Sequence, residues 1–156
     1  MNESSNAPQR VSCVQIEANV DDLDPRIWPH VIDALLAAGA HDAWITPIVM
    51  KKGRPAFTLG VLCAAADLEV IRAVVFAETS TIGLREWEIV KHVLERSVET
   101  VAVGDHQIDT KVAWVDGEVV NRSIEWDDVV RVSASLGLAP KVVLSAAIAA
   151  ATDRQA

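Results

Sequence analysis

Two kinds of hydrophobic periodicity alternate along this chain, and their order constrains the fold more than any other feature. A strand-like alternation of apolar and polar side chains occurs four times, in residues 11–20, 42–50, 57–63 and 87–93. Between these segments, apolar residues spaced three and four positions apart mark one face of a helix in residues 25–38 and 66–78. The first 95 residues therefore predict the order β-α-β-β-α-β.

This order is the ferredoxin-like pattern, which we predict for residues 10–95 of an α+β protein. Asp24 and Pro25 begin the first helix, because Asp accepts hydrogen bonds at an N-cap and Pro suits the first helical position. Gly39 ends that helix.

Residues 96–156 follow a different pattern, for which we predict a short antiparallel β-meander and two C-terminal helices. The strands are expected at residues 98–103, 108–115 and 118–124, with turns at 104–105 and 116–117. Asp127 is expected to cap the first helix and Pro140 to open the second, with Val143, Ala147 and Ile148 facing inward. Residues 1–9 are interpreted as a disordered lead-in.

Composition narrows the classes of function. The chain has 156 residues, with 14 Lys and Arg against 22 Asp and Glu, and its net charge of −8 argues against nucleic acid or an anionic membrane as a partner. No apolar run approaches the roughly 18 residues of a membrane span. Cys13 and Cys63 lie in strand-like segments without metal-type spacing, so we expect buried free thiols in a cytoplasmic protein.

The predicted topology brings three polar segments to one edge of the sheet. A right-handed β-α-β connection makes the first two strands parallel, so both end at the same edge. The third strand runs antiparallel to the first two, away from this edge. The second helix then leads the chain back to it, so the fourth strand begins at that edge. The acidic residues after strand one, the turn after strand two and the loop before strand four should therefore lie close together.

The turn after strand two carries three cations within four residues, Lys51, Lys52 and Arg54. Gly53 can adopt a positive φ, which allows a compact turn that holds these cations together. We interpret the turn as an anion site, and we expect the anion to be phosphate. A solvated β-turn with basic side chains is an equally acceptable interpretation of the spacing alone.

The other two segments carry groups that complement a phosphate site. Glu17, Asp21 and Asp22 offer the hard oxygen ligands that a divalent cation prefers, although such carboxylates are also common in loops and helix caps. Thr79, Ser80, Thr81 and Arg85 could donate hydrogen bonds to phosphate oxygens, or could belong to an ordinary helix end and turn. Neither common glycine-rich nucleotide motif is present.

Three runs resemble the C-terminal region of the nickel insertion family LarC, namely residues 17–25, 46–55 and 78–85. Their order and spacing match that region, and the resemblance covers nearly the whole chain from Val11. It implies a part in completing the nickel-pincer nucleotide cofactor of lactate racemase-type enzymes. In that reaction nickel, the substrate metal, enters a pyridinium bisthiocarboxylate mononucleotide, a carbon–nickel bond forms, and CTP is consumed.

The resemblance also implies roles for the three segments. The family's C-terminal region is associated with CTP, with its divalent metal (Mg or Mn) and with formation of a homo-oligomer. Carried over to this sequence, the nucleotide-binding residues are Lys51, Lys52, Arg54, Thr79, Ser80, Thr81 and Arg85, and the metal-binding residues are Glu17, Asp21 and Asp22. No catalytic residue is assigned, and Trp44 or Trp87 could stack on the base.

Two departures and one missing region qualify the resemblance. The family usually has Thr where Ala18 stands and Glu where Arg26 stands, which weakens the metal assignment. The family's longer N-terminal region does not form part of this sequence, so an N-terminal nickel-binding domain or chain is expected to complete the enzyme. The alternative interpretation is a non-catalytic ferredoxin-like module that assembles oligomers or binds a small anion.

Overall fold

A computed structural model describes residues 8–152, so the lead-in predicted for residues 1–9 lies almost wholly outside the described residues. Contacts within the chain define two compact units, one comprising residues 10–91 and the other containing residues 92–152. The first unit is built from β1 (Gln9–Val20), α1 (Trp28–Ala37), β2 (Asp42–Met50), β3 (Arg54–Cys63), α2 (Leu68–Glu78) and β4 (Arg85–Val93).

The four strands of the first unit form one sheet in the order β2-β3-β1-β4. β3 runs antiparallel to both β1 and β2, so β1 and β2 point in the same direction with β3 between them. This split β-α-β arrangement confirms the ferredoxin-like prediction. Asp24 accepts the N–H of Arg26 and caps a short 3-10 turn that leads into α1, as its position before Pro25 predicted.

The core of the first unit lies on one face of this sheet. Four alternating residues of β1 point toward the helices, since successive side chains of a strand face opposite ways. They pack with residues of α1 and α2 that are fully buried: Val31, Leu35, Ile71 and Val75. Trp28 meets Phe57 edge to face, with the two rings centred 5.8 Å apart, and so closes the core where β1 ends and β3 begins.

The second unit contains β5 (Glu95–Val103), β6 (His106–Val115), β7 (Glu118–Ile124), α3 (Trp126–Leu136) and α4 (Pro140–Thr152). The strands form an antiparallel sheet in sequence order, which confirms the predicted meander and its two C-terminal helices. Val101 and Ile108 of the sheet pack against Val129 and Val132 of α3 and Val143 of α4.

Two details of the helical prediction are wrong. Asp127 lies within the first turn of α3, whose N-cap position is Glu125, because the helix begins two residues earlier than the cap pattern suggested. Ile148 is half-exposed, whereas Val143, Ala147 and Ala151 form the buried stripe of α4. The spacing of four from Val143 to Ala147 and Ala151 fixes that stripe, and Ile148 falls beside it.

No single helix within residues 8–152 is long and apolar enough to cross a membrane. α3 and α4 meet the length and composition test only when they are counted together, across a bend of 118°. Cys13 and Cys63 are buried and free, as expected, and burial raises the pKa of the Cys63 thiol.

Candidate functional site

The structure brings the three polar segments together at one edge of the first sheet. Arg54, the last cation of the cationic turn, donates to Asp21 after β1 at a distance of 3.0 Å. Ser80, from the loop before β4, donates to Asp22 in a short hydrogen bond. These two contacts join all three segments across 33 and 58 positions of sequence. We call this edge the polar edge, defined by residues 17–22, 51–54 and 79–85.

The cationic turn has a strained backbone. Residues 51–53 form a short 3-10 turn in which Lys52 has φ 65° and ψ 18°, and Gly53 has φ 71°. The left-handed region suits glycine but costs a residue such as lysine on the order of 1–3 kcal/mol. Such strain persists only where the surrounding structure over-determines the backbone conformation. Gly53 behaves as predicted, whereas nothing in the sequence indicated the conformation of Lys52.

Lys51 and Lys52 are exposed, and within residues 8–152 neither lysine side chain makes a hydrogen bond or an ion pair. The two arginines of the site differ from them, since each is already bound to a carboxylate. Arg54 is paired with Asp21, and Arg85 donates to Glu17 at 2.7 Å. The uncompensated positive charge of the polar edge therefore lies on the two lysines.

Arg85 links the start of β4 to the end of β1. Its Nη2 donates to Glu17 Oε2 at 2.7 Å and to Asn19 Oδ1 at 3.1 Å, and Thr58 Oγ1 donates to the same Asn19 oxygen at 2.8 Å. Asn19 is thus a member of the site that the sequence analysis missed. The available signal was its position two residues from both Glu17 and Asp21, on the same face of β1.

The hydroxyl groups of the third segment serve mainly local structure. Thr79 Oγ1 donates to the carbonyl of Val75 at 2.7 Å and so satisfies the end of α2. Thr81 Oγ1 donates to the carbonyl of Gly83 at 2.7 Å and shapes the turn into β4. Ser80 therefore differs from the two threonines, because its hydroxyl crosses to Asp22.

Two neighbouring recesses open at the polar edge. The first, of about 370 Å³, is mostly polar and is lined by Asn19, Val20, Asp21, Asp22, Ser80, Thr81, Ile82 and Gly83. The second, of about 360 Å³, is mostly apolar and is lined by Val20, Asp21, Leu23, Pro25, Pro47, Ile48, Pro55, Ala56 and Phe57. Val20 and Asp21 line both, so the two recesses adjoin along the end of β1.

Beside these recesses, Arg26 folds back onto Asp24, the N-cap of the 3-10 turn that leads into α1. Its guanidinium donates to both carboxylate oxygens of Asp24, at 2.5–3.1 Å. The side-chain and backbone hydrogen bonds from Arg26 hold the pKa of Asp24 below its usual value, so that carboxylate stays ionised near neutral pH. Asp24 is committed to this cap, which leaves Asp21 and Asp22 as the carboxylates facing the recesses.

The predicted metal ligands share the edge but do not form a compact cluster. Within residues 8–152, no group of three or more His, Cys, Asp and Glu side chains is arranged to hold a metal ion. Glu17, Asp21 and Asp22 are bound instead by Arg85, Arg54 and Ser80, respectively. This donor set fits a Mg²⁺-like ion, which commonly uses one or two carboxylates together with water and the phosphates of a nucleotide.

Comparison with known proteins gives consistent results. The sequence profile of the family described as "Nickel insertion protein" matches residues 1–144. A pyridinium-3,5-bisthiocarboxylic acid mononucleotide nickel insertion protein of Nocardioides sp. is 54% identical over 134 residues, covering 86% of this chain and 34% of the relative. The protein of that description from Thermotoga sp. is 37% identical, covering 88% and 34%, respectively. The chain thus spans about one third of the length of these relatives.

Two solved structures are also similar. The C-terminal domain (LarC2) of a cyclometallase involved in the synthesis of the NPN cofactor of lactate racemase, in its apo form, superposes with a TM-score of 0.82 at 31% identity. The match covers 92% of this chain and 99% of that domain. A protein of Methanopyrus kandleri, with a TM-score of 0.58 at 21% identity over 86% and 85% of the two chains, shares the fold alone.

Proposed function

The chain belongs to the nickel insertion protein family, and we propose that it is the part of a CTP-dependent nickel insertase that binds CTP and a divalent metal. The descriptions of its relatives support insertion of nickel into pyridinium-3,5-bisthiocarboxylic acid mononucleotide as the overall reaction. The similarity to a cyclometallase C-terminal domain supports the assignment of this chain to the corresponding part of the enzyme.

The cationic turn carries this proposal. Lys51 and Lys52 are exposed and, in the described part of the chain, have no carboxylate partner, and Lys52 holds a strained backbone conformation. A protein with a net charge of −8 repels a triphosphate unless cations are concentrated locally. Two free lysines beside a polar recess supply that local charge, and we assign them to the phosphates.

The remaining side chains then have supporting roles. Arg54 and Arg85 would turn from their carboxylates toward phosphate oxygens, and Ser80 would be released from Asp22. This exchange would free the carboxylates of Asp21 and Asp22, with Glu17 beside them. These carboxylates would hold Mg²⁺ or Mn²⁺. When bound, the metal shields the charge of the triphosphate from these carboxylates. The apolar recess beside Asp21 has the size and character to receive a base.

The test is the thermal stabilisation of the protein by nucleotide. CTP with Mg²⁺ or Mn²⁺ should raise the melting temperature more than ATP does, because a ligand that binds only the folded state stabilises it. In the Lys51→Ala/Lys52→Ala variant, affinity should fall by about tenfold or more, because each lost charge-assisted hydrogen bond contributes on the order of 1.5–3 kcal/mol, and the CTP-induced rise should largely disappear.

The matched control is Lys91→Ala/Lys141→Ala, which removes the same charge from two lysines that make no ion pair within residues 8–152 and lie outside the polar edge. This variant should retain the CTP-induced rise. An equal CTP response in the two double variants would contradict the assignment of the cationic turn to the triphosphate.

The complete reaction is proposed to need more than this chain. Nickel and the pyridinium substrate would be handled together with an N-terminal domain or chain, as the greater length of the relatives suggests. We further propose that the protein acts as a homo-oligomer in the cytoplasm. A mixture with the N-terminal two thirds of the Nocardioides relative should form the nickel-containing mononucleotide only when CTP is present.

A second candidate is favoured by the dispersed carboxylates. Because no three-carboxylate cluster exists among residues 8–152, the edge could bind a small anion without a metal. Inorganic triphosphate distinguishes the two functions in the same thermal assay. The anion-binding module would be favoured if inorganic triphosphate raised the melting temperature as much as CTP does, and if chelation of metals did not change that rise.

A further inference from the structure

Two carboxylates of the polar edge lie beneath arginine side chains. Arg54 binds Asp21 at 3.0 Å, and the exposed fractions of these two side chains are 60% and 26%, respectively. Arg85 binds Glu17 at 2.7 Å, and there the exposed fractions are 51% and 23%. In each pair the guanidinium is the outer partner and the carboxylate the inner one. A metal ion that approaches either carboxylate from solvent therefore competes with a guanidinium that is already in place.

The net charge of the polar edge acts in the same direction. The edge contains four cationic and three anionic side chains, and so has a formal charge of +1 within a chain of net charge −8. These side chains are Lys51, Lys52, Arg54 and Arg85, and Glu17, Asp21 and Asp22. A free divalent cation adds charge of the sign that is already in excess at this edge.

A complex of metal and triphosphate suits this charge better than either component alone. A fully ionised triphosphate carries about four negative charges, and a bound divalent cation offsets about two of them. The complex therefore brings the edge close to neutrality, whereas the free metal leaves it strongly positive and the free triphosphate leaves it strongly negative.

We propose that Arg54 and Arg85 select the metal of this site, because they keep free divalent cations away from the carboxylates and admit metal only together with nucleotide. This inference rests on the proposed function and adds to it the control of metal entry. Each guanidinium leaves its carboxylate when phosphate oxygens offer a replacement. Partly exposed ion pairs are weak, so a triphosphate can displace both of them.

Nickel gives this selection its importance. In the proposed function nickel is the substrate metal, and it binds oxygen and nitrogen ligands more tightly than Mn²⁺ does. Uncovered carboxylates would therefore take up nickel in preference to Mn²⁺. In the empty edge, nickel would first have to displace Arg54 from Asp21 or Arg85 from Glu17. Metal that arrives on the hard oxygens of a triphosphate does not face this competition, because the phosphates receive the arginines.

The test is the binding of free Mn²⁺ to the whole protein without nucleotide, followed by the electron paramagnetic resonance signal of the unbound ion. In the Arg54→Gln/Arg85→Gln variant the affinity for Mn²⁺ should rise by about tenfold, because two ion pairs no longer compete with the metal. Calorimetry with Ni²⁺ should show a gain of the same direction. An arginine variant that binds Mn²⁺ no more tightly than the wild type would overturn the inference.

The matched control is Lys51→Gln/Lys52→Gln. It removes the same charge from the same edge, but it leaves both arginine–carboxylate pairs intact. Its affinity for free Mn²⁺ should rise by less than about threefold, because only the screened long-range repulsion is reduced. Equal gains in the two double variants would mean that net charge alone excludes the metal, and would overturn the role of the arginine pairs.

The wild type provides a second measurement if the double arginine variant does not fold. The Nε–H resonances of Arg54 and Arg85 are assigned by their loss in Arg54→Gln and Arg85→Gln, respectively. Mg²⁺ alone should leave both resonances in place, whereas Mg²⁺ together with CTP should shift both. A shift of either resonance with Mg²⁺ alone, or no shift with Mg²⁺ and CTP, would overturn the inference.

CTP premixed with Mn²⁺, titrated into the wild type, tests the proposed function by itself. If this complex binds, while free Mn²⁺ binds the wild type and the arginine variant equally, the inference is wrong and the proposed function stands. If the wild type binds CTP neither with nor without Mn²⁺, the proposed function is wrong, and the inference that rests on it is overturned as well.

Discussion

At the scale of single residues, the polar edge contains arginines that are already paired with carboxylates and two lysines that are not. Arg54 and Arg85 hold carboxylates at 3.0 and 2.7 Å, while Lys51 and Lys52 extend from a strained turn into solvent. The cationic cluster could be predicted from the sequence. Its division into paired arginines and free lysines could not, because the partners lie 33 and 68 positions away and depend on the sheet register.

Gly60 allows a sharp prediction at this scale. In Gly60→Ala the new methyl group would overlap the indole of Trp44 and force it off the strand, which should reduce the free energy of unfolding by about 1–3 kcal/mol. Gly83→Ala is the matched control, since a Cβ there meets no atom within 4 Å, and its effect should stay within about 0.5 kcal/mol. Urea titration of both variants measures the difference, and equal stabilities would contradict the contact.

At the scale of secondary-structure elements, hydrophobic periodicity was sufficient to predict the strands, because each strand has one buried face. β2 was predicted with its observed bounds, Asp42–Met50, and the turns at 104–105 and 116–117 were placed correctly. Helix ends were harder to predict, because the N-cap depends on which polar side chain reaches a free backbone N–H. Asp127 was expected to cap α3, but its neighbour Asp128 makes the long-range contact.

Asp128 links α3 to the second sheet through a hydrogen bond. Its carboxylate accepts the backbone N–H of Asp109 in β6 at 2.8 Å and also binds Arg131. The Asp109 hydrogen bond and the Arg131 guanidinium hold the pKa of Asp128 below its ordinary value. Because the folded-state pKa is lowered, this contribution to stability is complete above the unfolded pKa, about 3.9, and is lost as the pH falls through the folded value.

Asp128→Ala should therefore destabilise the protein by about 1 kcal/mol at pH 7, and the difference from the wild type should shrink below about pH 4. Asp127→Ala removes the same charge from the same helical turn, but its exposed side chain makes no such contact, and the variant should lose less stability. Denaturant titrations at pH 7 and pH 3.5 test both statements. A deficit for Asp128→Ala that is unchanged at low pH would contradict the role of its charge.

At the scale of the whole molecule, each of the two units has its own core, and the polar edge belongs to the unit of residues 10–91. The net charge of −8 makes any triphosphate site dependent on local cations and on a shielding metal, because Asp21 and Asp22 line the same recess. Topological reasoning was sufficient to predict that three segments converge. The recesses between them depend on side-chain packing, which periodicity does not describe.

The central claim is that this edge binds CTP together with a divalent metal, and isothermal titration calorimetry tests it most directly. CTP titrated into the protein with Mn²⁺ should bind at about one site per chain, and about tenfold or more weakly when EDTA removes the metal, since the unshielded phosphates then face two carboxylates. Binding should be lost in Lys51→Ala/Lys52→Ala. An absence of CTP binding, or CTP binding of equal strength with and without metal and in the lysine variant, would contradict the claim.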